Sequence, residues 1–224
     1  MTMSYGINTR CIYGEEREQG DEKHYGALSY PIYQTATFQH PQVGVSSGYD
    51  YSRLSNPTRS QLESVVASLE KGTHAYAFSS GMAAITAAME IFSQGAHIIA
   101  GDDLYGGSVR LFDNISRKNG YEVEYVDTSR EDVEKYIRPE TKAVYIETPT
   151  NPMMNVTDIA RVAGITKKHG ILLIVDNTFL SPYLQNPLEL GADIVVHSGT
   201  KFLCGHNDTL SGFVVVKDEA LAER

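Results

Sequence analysis

The feature that most restricts the fold is a regular alternation of short apolar, β-branched runs with segments of helical period, from residue 75 to residue 216. Such alternation, with little sequence between the segments, is typical of a parallel sheet covered by helices on both faces. The predicted strands are 75–78, 97–100, 121–126, 143–147, 171–176, 193–197 and 212–216, and the helices between them are 81–92, 107–118, 131–137 and 158–169. The sequence therefore predicts an α/β domain with a mainly parallel, seven-stranded sheet.

The residues before this alternation have a different character. Residues 1–57 show no sustained period and are rich in Gly, Tyr, Ser and charged residues, so we expect an extended N-terminal arm that packs on a neighbouring subunit. The large domain is then 58–224, and its first helix is predicted to have Thr58 as N-cap and to stop at Gly72. At the other end, 218–224 reads as a helix that has only begun, so we expect a further domain to follow.

Charge and composition restrict the partners. The chain carries a formal net charge of -9 and no basic run, which argues against nucleic acid or an anionic membrane surface as partner. Its longest aliphatic run, 171–175, is far too short to cross a bilayer, and the N-terminus has no apolar signal segment. Cys11 and Cys204 fit neither a disulfide framework nor a zinc motif. These features predict a cytoplasmic protein with a small-molecule ligand.

A lysine follows one of the predicted core strands. The strand 193–197 leads through His197-Ser198-Gly199-Thr200 into Lys201, the region where open α/β sheets bind ligands. Ser198 and Thr200 add two hydroxyls. A lysine held there partly out of water loses affinity for its proton and becomes a nucleophile towards aldehydes. The alternative interpretation is an ordinary surface lysine after a strand.

Other strands end in polar side chains in the same way. Asp176 ends the aliphatic strand 171–176, and Glu147 and Asn151 lie at and just beyond the end of 143–147. Asp176 is either an N-cap for the next segment or a carboxylate aimed into the ligand crevice. Six polar groups are expected at one edge of the sheet: Ser80, Glu147, Asn151, Asp176, Ser198 and Lys201.

An anion site is predicted at the turn Ser79-Ser80-Gly81-Met82, where small residues open a helix whose free amides and dipole favour negative charge. The chain lacks both the G-x-G-x-x-G and the G-x-x-x-x-G-K-[ST] patterns, which disfavours NAD and nucleoside triphosphates. Tyr105 offers an aromatic ring next to glycines that permit close approach. The alternatives are an ordinary tight turn and a core tyrosine at a helix start.

A phosphate turn, a reactive lysine and an apposed aspartate are together the groups that pyridoxal phosphate requires. The lysine forms a Schiff base with the aldehyde, and the aspartate keeps the pyridine nitrogen protonated so that the ring accepts electrons. The sequence therefore predicts pyridoxal 5'-phosphate as cofactor. The competing interpretation is a metal site, which leaves Lys201 and Asp176 unexplained and would use His197, Cys204, His206 and Asp208.

At this point the chain resembles a known family over nearly its whole length. In order, its motifs are similar to those of the Cys/Met-metabolism family of pyridoxal-phosphate enzymes, which includes cystathionine synthases and lyases, methionine γ-lyase and O-acylhomoserine sulfhydrylases. The resemblance implies the aspartate-aminotransferase-like fold (fold type I) and a homo-oligomer, with a dimer as minimum and a tetramer by family. The motifs are Tyr51-Ser52-Arg53, Asn56-Pro57-Thr58, Ser80-Gly81-Met82, Asp103-Leu104-Tyr105-Gly106-Gly107, Glu147-Thr148-Pro149-Thr150-Asn151-Pro152, Asp176-Asn177-Thr178 and Ser198-Gly199-Thr200-Lys201.

The resemblance also implies residue roles. Lys201 carries the cofactor and moves protons, Asp176 pairs with the ring nitrogen, and Tyr105 stacks on the ring and assists proton transfer. Glu147 and Asn151 lie near the ring and the substrate. The phosphate is held by Ser80, Gly81, Met82, Ser198 and Thr200, and, from the arm of the neighbouring subunit, by Tyr51 and Arg53.

Two departures from the family limit the functional prediction. Bacterial methionine γ-lyases typically carry a cysteine where this chain has Gly107, and the family's C-terminal domain, with the arginine that grips the substrate carboxylate, is not within these 224 residues. We predict a transsulfuration enzyme that makes or breaks C–S bonds by β- or γ-elimination or γ-replacement, with cystathionine γ-synthase or cystathionine lyase favoured. The alternatives are methionine γ-lyase, an O-acylhomoserine sulfhydrylase, or a cofactor-binding but catalytically inactive fragment.

Overall fold

The computed structural model describes residues 5–14, 24–25 and 27–224. The chain divides into two compact units, Met1–Leu69 and Glu70–Arg224, of which the second contains the whole sheet. The arm of 1–57 and the large domain of 58–224 stay predictions. None of the described helices is both long enough and apolar enough to cross a membrane.

Seven strands form one sheet in the second unit, in the order β1-β7-β6-β5-β4-β2-β3. β7 runs antiparallel to both of its neighbours, while all the other pairings are parallel. The prediction of a mainly parallel, seven-stranded sheet is confirmed, with every strand end within a residue or two of its predicted position. The strands are β1 His74–Phe78, β2 His97–Gly101, β3 Glu122–Val126, β4 Thr141–Glu147, β5 Leu172–Asp176, β6 Ile194–Ser198 and β7 Gly212–Val216.

The helices of the second unit agree less closely with the prediction. The helix expected over 107–118 becomes a π-helical turn at Phe112–Ser116, and the one expected over 131–137 is a single 3₁₀ turn, Val133–Tyr136. The prediction missed the helix Ser181–Leu184 and the 3₁₀ turn Pro187–Leu190 because elements of four residues are too short to show a period. The α-helices are α3 Gly81–Met89, α4 Gly106–Leu111, α5 Ile159–His169, α6 Ser181–Leu184 and α7 Glu219–Ala222.

The sheet has an apolar core on each face, which explains why its central strands are aliphatic throughout. On one face Tyr145, Ile174 and Val196 pack with residues of α3, and on the other face Leu173 and Val175 pack with residues of α5. Successive residues of a strand point to opposite faces. The last residues of the strands therefore deliver polar side chains alternately to the α3 face and to the α5 face.

In the first unit, the described residues include α1 Ile7–Tyr13 and α2 Pro57–Glu70, the latter ending at the unit boundary. The prediction of Thr58 as the N-cap of α2 is wrong. Asn56 takes that place, because its Oδ1 accepts the Thr58 N–H at 2.9 Å and the proline after it suits the first helical position. The left-handed residue after the helix is Lys71, with φ +62°, and not Gly72.

Candidate active site

Two carboxylates end adjacent strands at the carboxyl edge of the sheet. β4 and β5 pair in parallel, with Glu147 opposite Asp176, so both side chains point to the α3 face. Both residues are buried, with 8% and 6% of their surface exposed. The prediction that these two groups share one edge of the sheet therefore holds in the structure.

Asp176 is held by two donors. Its Oδ1 accepts the Thr178 N–H at 3.0 Å and its Oδ2 accepts the Tyr145 hydroxyl at 3.3 Å. Burial raises the pKa of Asp176, and the hydrogen bonds from Thr178 and Tyr145 oppose that rise. The alternative of an ordinary N-cap does not fit, because the next helix begins only at Ser181. Asp176 is thus a buried carboxylate held in place at the strand end.

Glu147 binds the backbone of two loops at the same edge of the sheet, the loop after β2 and the loop after β4. Its Oε2 accepts the Tyr105 N–H at 2.8 Å, and its Oε1 accepts the Asn151 N–H at 2.9 Å. Burial, together with the neighbouring Asp176 carboxylate, raises the pKa of Glu147 to about 7, although the two N–H donors oppose the rise. The carboxyl group therefore changes protonation near neutral pH.

This raised pKa predicts a specific pH dependence of stability. The pKa of Glu147 is about 7 in the folded chain against 4.5 for an unperturbed glutamate, so between these values the folded state keeps a proton that the unfolded state has lost. The contribution is fully present below pH 4.5 and is lost as the pH rises through 7, by about 3 kcal/mol in all. Urea unfolding of cofactor-free protein at a series of pH values measures this fall.

Glu147→Gln should flatten that dependence, since the amide does not titrate. The exposed residue Glu140, on the opposite edge of the sheet, provides a control, because Glu140→Gln should leave the slope unchanged. An unchanged slope in Glu147→Gln would contradict the assignment.

The amino end of α3 carries free backbone N–H groups at the predicted anion site. The Ser80 hydroxyl accepts the Ala83 N–H at 3.1 Å as N-cap, which leaves the N–H groups of Gly81 and Met82 without an intrahelical partner at the positive end of the helix dipole. Gly81 packs directly on the end of β6, since a Cβ at this position would lie 2.6 Å from the Ser198 Cβ. The structure therefore brings together Ser80, Gly81, Met82 and Ser198, as predicted from the sequence.

The ring of Tyr105 lies beside this site. Tyr105 directly precedes α4 and is 46% exposed, so the alternative of a core tyrosine is wrong. A Cβ on Gly107 would lie 2.4 Å from Cε1 of Tyr105 and 2.9 Å from the Met82 sulfur. The absence of a side chain at 107 is what allows the ring to lie next to the first turn of α3.

Lys201 lies in the turn after β6, where its N–H donates to the Ser198 carbonyl at 3.2 Å. The expectation that it is partly out of water is wrong for this chain: the residue is exposed, because no element of its own unit covers the turn. Within the part of the chain that the structure describes, its side chain makes no hydrogen bond or ion pair. The Thr200 hydroxyl donates to the Ser211 carbonyl at 3.3 Å and accepts the Ser211 N–H at 3.2 Å, and its role towards a phosphate stays a prediction.

The metal alternative gains no support. Among residues 5–14, 24–25 and 27–224, no three or more His, Cys, Asp or Glu side chains are placed to hold a metal ion. His197 instead lies with its Nε2 2.5 Å from the Glu70 Oε1, and the His206 Nδ1 lies 2.6 Å from the Cys204 carbonyl oxygen. One ring nitrogen of each of these two histidines thus already has another partner.

Tyr51 and Arg53 belong to the first unit, where the Arg53 guanidinium lies 4.9 Å from the centre of the Tyr51 ring. This cation–π contact keeps the two side chains together. Their role towards a neighbouring subunit stays a prediction, as does the role of the Asn151 side chain.

Sequence reasoning missed three residues that organise the site. Thr178 links Asp176 to β6, because its Oγ1 accepts the Ser198 N–H at 2.8 Å. Tyr145 lies within an apolar run of the sequence, and the signal that reveals it is its position two residues before Glu147, which places it on the same face. Asp103 carries no local signal of its role, and its Oδ2 accepts both the Thr150 hydroxyl and the Met153 N–H, the latter at 3.2 Å.

The chain is similar in sequence to known proteins. The chain is 56% identical over 205 residues to the cystathionine gamma-lyase of Bacillus subtilis (strain 168), which covers 91% of this chain and 54% of that relative. It is 47% identical over 227 residues to the cystathionine gamma-synthase of Haemophilus influenzae, with 100% of this chain and 60% of that relative covered. The chain thus spans little more than half the length of these curated relatives.

The chain is also similar in structure to a solved protein. The crystal structure of cystathionine gamma-lyase from Lactobacillus plantarum complexed with L-serine superposes with a TM-score of 0.92 at 46% identity, over 98% of this chain and 57% of that chain. The expected fold type I architecture is thereby confirmed. The sequence pattern of the Cys/Met metabolism PLP-dependent enzymes matches residues 8–224, and the chain therefore belongs to that family.

Proposed function

We propose that the protein is a pyridoxal-phosphate-dependent transsulfuration enzyme that makes or breaks C–S bonds of cystathionine-, homocysteine- or methionine-type amino acids. The reaction is a β- or γ-elimination or a γ-replacement, with cystathionine γ-synthase or cystathionine lyase activity favoured. The support is family membership together with relatives that are named as synthases and lyases. The proposal concerns the whole protein, because this chain spans only part of the length of its relatives.

The observation that carries the proposal is the unpaired state of Asp176. This carboxylate is buried, yet among the described residues it forms no ion pair, and its hydrogen-bond donors, from Thr178 and Tyr145, are neutral. A buried carboxylate is stabilised by a cationic partner, which the protonated pyridine ring of the cofactor provides. The nearby N–H donors of α3 suit the phosphate. The residues present therefore fit pyridoxal phosphate.

When bound, pyridoxal phosphate supplies an aldehyde that joins an amine and a ring that accepts electrons from the substrate. In our proposal Lys201 provides the amine that holds the cofactor and then moves a proton at the substrate Cα. Asp176 keeps the proton on the pyridine nitrogen, and Tyr105 covers the ring. The amides of Gly81 and Met82, with the hydroxyl side chains of Ser80, Ser198 and Thr200, bind the phosphate. Glu147 and Asn151 would lie near the ring and the substrate.

Titration with pyridoxal phosphate tests the cofactor assignment. The protein should develop visible absorbance that borohydride removes, because hydride addition turns the C=N bond of the adduct into a stable secondary amine, and peptide mapping should then find the added mass on Lys201. Absence of a fixed adduct, or an adduct on another lysine, would overturn the assignment.

The substrate is identified by comparing the turnover of several candidate substrates. Cystathionine, O-acetylhomoserine with cysteine or with sulfide, and methionine should be assayed side by side, with thiol, keto acid, ammonia and cystathionine as measured products. Turnover of cystathionine, or its synthesis, supports the favoured activity. Faster turnover of methionine would favour methionine γ-lyase, and faster use of free sulfide would favour an O-acylhomoserine sulfhydrylase. Cofactor binding without any turnover would favour the inactive-fragment alternative.

Gly107→Ala should displace the Tyr105 ring. The added Cβ would collide with that ring and with the Met82 sulfur, so the ring must turn away from the cofactor site. Because misplacement by about 1 Å can cost about a hundredfold in rate, we expect turnover to fall about 10- to 100-fold. Gly164→Ala is the control, since no atom lies within 4 Å of a Cβ placed there. Equal turnover of the two variants would contradict the proposed role of the ring.

We further propose a homo-oligomer, with a dimer as minimum and a tetramer as the family form, and the cytoplasm as compartment. The loops beyond the strand ends carry exposed apolar side chains, which is typical of interaction surfaces. Cys11 and Cys204 are both free, which suits a reducing compartment. Light scattering of the purified protein measures its mass. The exposed apolar side chains are Met153, Tyr183, Leu184, Phe202 and Leu210.

A further inference from the structure

A buried polar cluster lies behind the strand ends that carry the candidate site. Glu70, the first residue of the second unit, accepts two hydrogen bonds at Oε1, from the His197 Nε2 at 2.5 Å and from the Asn177 Nδ2 at 2.7 Å. The side chains of Glu70 and His197 are both 0% exposed. Because Asn177 and His197 alternate with Asp176 and Ser198 along their strands, the cluster lies on the face opposite to the site.

Gln185 extends the cluster to a third strand end. The Asn177 Nδ2 also donates to the Gln185 carbonyl at 2.8 Å, while the Gln185 Nε2 donates to the Asn177 Oδ1 at 2.9 Å and to the Thr148 carbonyl at 3.1 Å. The cluster thus ties together the backbone just beyond β4 and β5 and the end of β6. Each anchor is the sequence neighbour of a candidate site residue: Thr148 follows Glu147, Asn177 follows Asp176, and His197 precedes Ser198.

The turn after β5 carries this constraint to the site. The Asn177 N–H donates to the Val196 carbonyl at 3.0 Å, which continues the pairing of β5 with β6 by one residue. The next residue, Thr178, donates its N–H to Asp176 and accepts the Ser198 N–H. A displacement of Asn177 would therefore move both Asp176 and the phosphate-side Ser198.

Such a cluster stabilises the folded state less than apolar side chains in the same place would. A buried carboxylate and imidazole rarely stabilise a fold more than apolar side chains of the same size would. Two of its atoms, the Glu70 Oε2 and the His197 Nδ1, are buried without a hydrogen-bond partner among the described residues, which adds to the cost. What a connected buried network does provide is a single, rigid arrangement of the backbone that it touches.

We propose that Glu70, His197, Asn177 and Gln185 form a positioning cluster that holds Asp176 and Ser198 in the geometry required by the cofactor. The proposal rests on the proposed function for its purpose, and on the contacts above for its existence. The cluster touches neither cofactor nor substrate and acts only through the backbone of the strand ends.

The test compares two buried histidines. His197→Leu removes the donor to Glu70, whereas His197→Gln keeps an N–H at the place of Nε2. His97→Leu is the matched control, because His97 is also 0% exposed and its Nδ1 lies 2.8 Å from the Thr141 hydroxyl, but it begins β2 at the opposite edge of the sheet. Two properties are measured for each variant: amide hydrogen exchange of residues 176–178 and 198 without cofactor, and the dissociation constant of pyridoxal phosphate from its visible absorbance.

We expect His197→Leu to speed amide exchange at residues 176–178 and 198 by about tenfold or more. His97→Leu should leave exchange at these residues unchanged, even if the two variants lose the same global stability. The dissociation constant should rise about tenfold or more in His197→Leu and return towards that of the parent protein in His197→Gln. Should His197→Leu fail to fold, the less buried Gln185→Met replaces it, because this change removes the donors to Thr148 and Asn177.

Unchanged exchange at the strand ends, or equal losses in the two leucine variants, would overturn the positioning cluster. The exchange measurement needs no cofactor, so it decides the matter even if the parent protein binds no pyridoxal phosphate. Failure of the parent protein to bind pyridoxal phosphate would overturn the proposed function but not the positioning cluster.

Discussion

Lys201→Ala is expected to abolish the borohydride-fixed adduct and to lower turnover by at least about a thousandfold. The physical reason is that the variant loses both the amine that joins the cofactor and the group that moves the proton at the substrate Cα, and proton transfer by a positioned side chain alone is worth about 10²- to 10⁴-fold. The change should not unfold the protein, because the Lys201 side chain is exposed and has no partner among the described residues. Peptide mass after borohydride treatment and turnover of the best substrate measure the effect.

Lys217→Ala provides the control for this variant. Lys217 follows the antiparallel strand β7 at the other edge of the sheet and pairs with Glu189 at 2.6 Å, so its loss should leave both readouts intact. A fixed adduct that persists in Lys201→Ala at the parent yield would overturn the lysine assignment.

Asp176→Asn should separate catalysis from stability. The amide oxygen can still accept the Thr178 N–H, so the strand end keeps its shape, but the amide carries no charge for the pyridine nitrogen. We expect turnover to fall about 10²- to 10⁴-fold and cofactor affinity to weaken, since the ring no longer keeps its proton. Without cofactor, the variant should be at least as stable as the parent protein at neutral pH. The reason is that burial raises the pKa of Asp176, which means that its charged form is disfavoured in the fold.

Asp193→Asn is the matched control for this second prediction. Asp193 lies just before β6, and its Oδ2 accepts the Leu173 N–H at 2.7 Å. Burial raises its pKa as well, but it lies at the edge of the sheet away from the candidate site. Cofactor titration, turnover and urea unfolding are measured on both variants. Equal losses of turnover in the two would show that a generic change of a buried aspartate, and not contact with the ring, is responsible.

The sequence was a good guide to the sheet and to the residues at its edge. Strand ends are short-range features, because an aliphatic run stops where a polar residue or glycine follows it. For this reason the sequence alone assigns Glu147, Asp176 and Ser198 to one edge of the sheet. The burial of Lys201 could not be predicted in the same way, because its exposure depends on what covers its turn. The cap of α2 was predicted wrongly as well, because Asn56, and not Thr58, accepts the free N–H at the helix start.

The amino-acid sequence by itself determined the α/β architecture, the mainly parallel sheet and the family, since these depend on local periodicity and on motifs of adjacent residues. Only the tertiary structure decided which groups touch: the Tyr145 hydroxyl on Asp176, the Tyr105 and Asn151 amides on Glu147, and Glu70 between His197 and Asn177. Contacts between residues up to 127 positions apart depend on strand order and on the register of neighbouring strands. Neither can be read from a local pattern, because many registers satisfy the same alternation of apolar and polar residues.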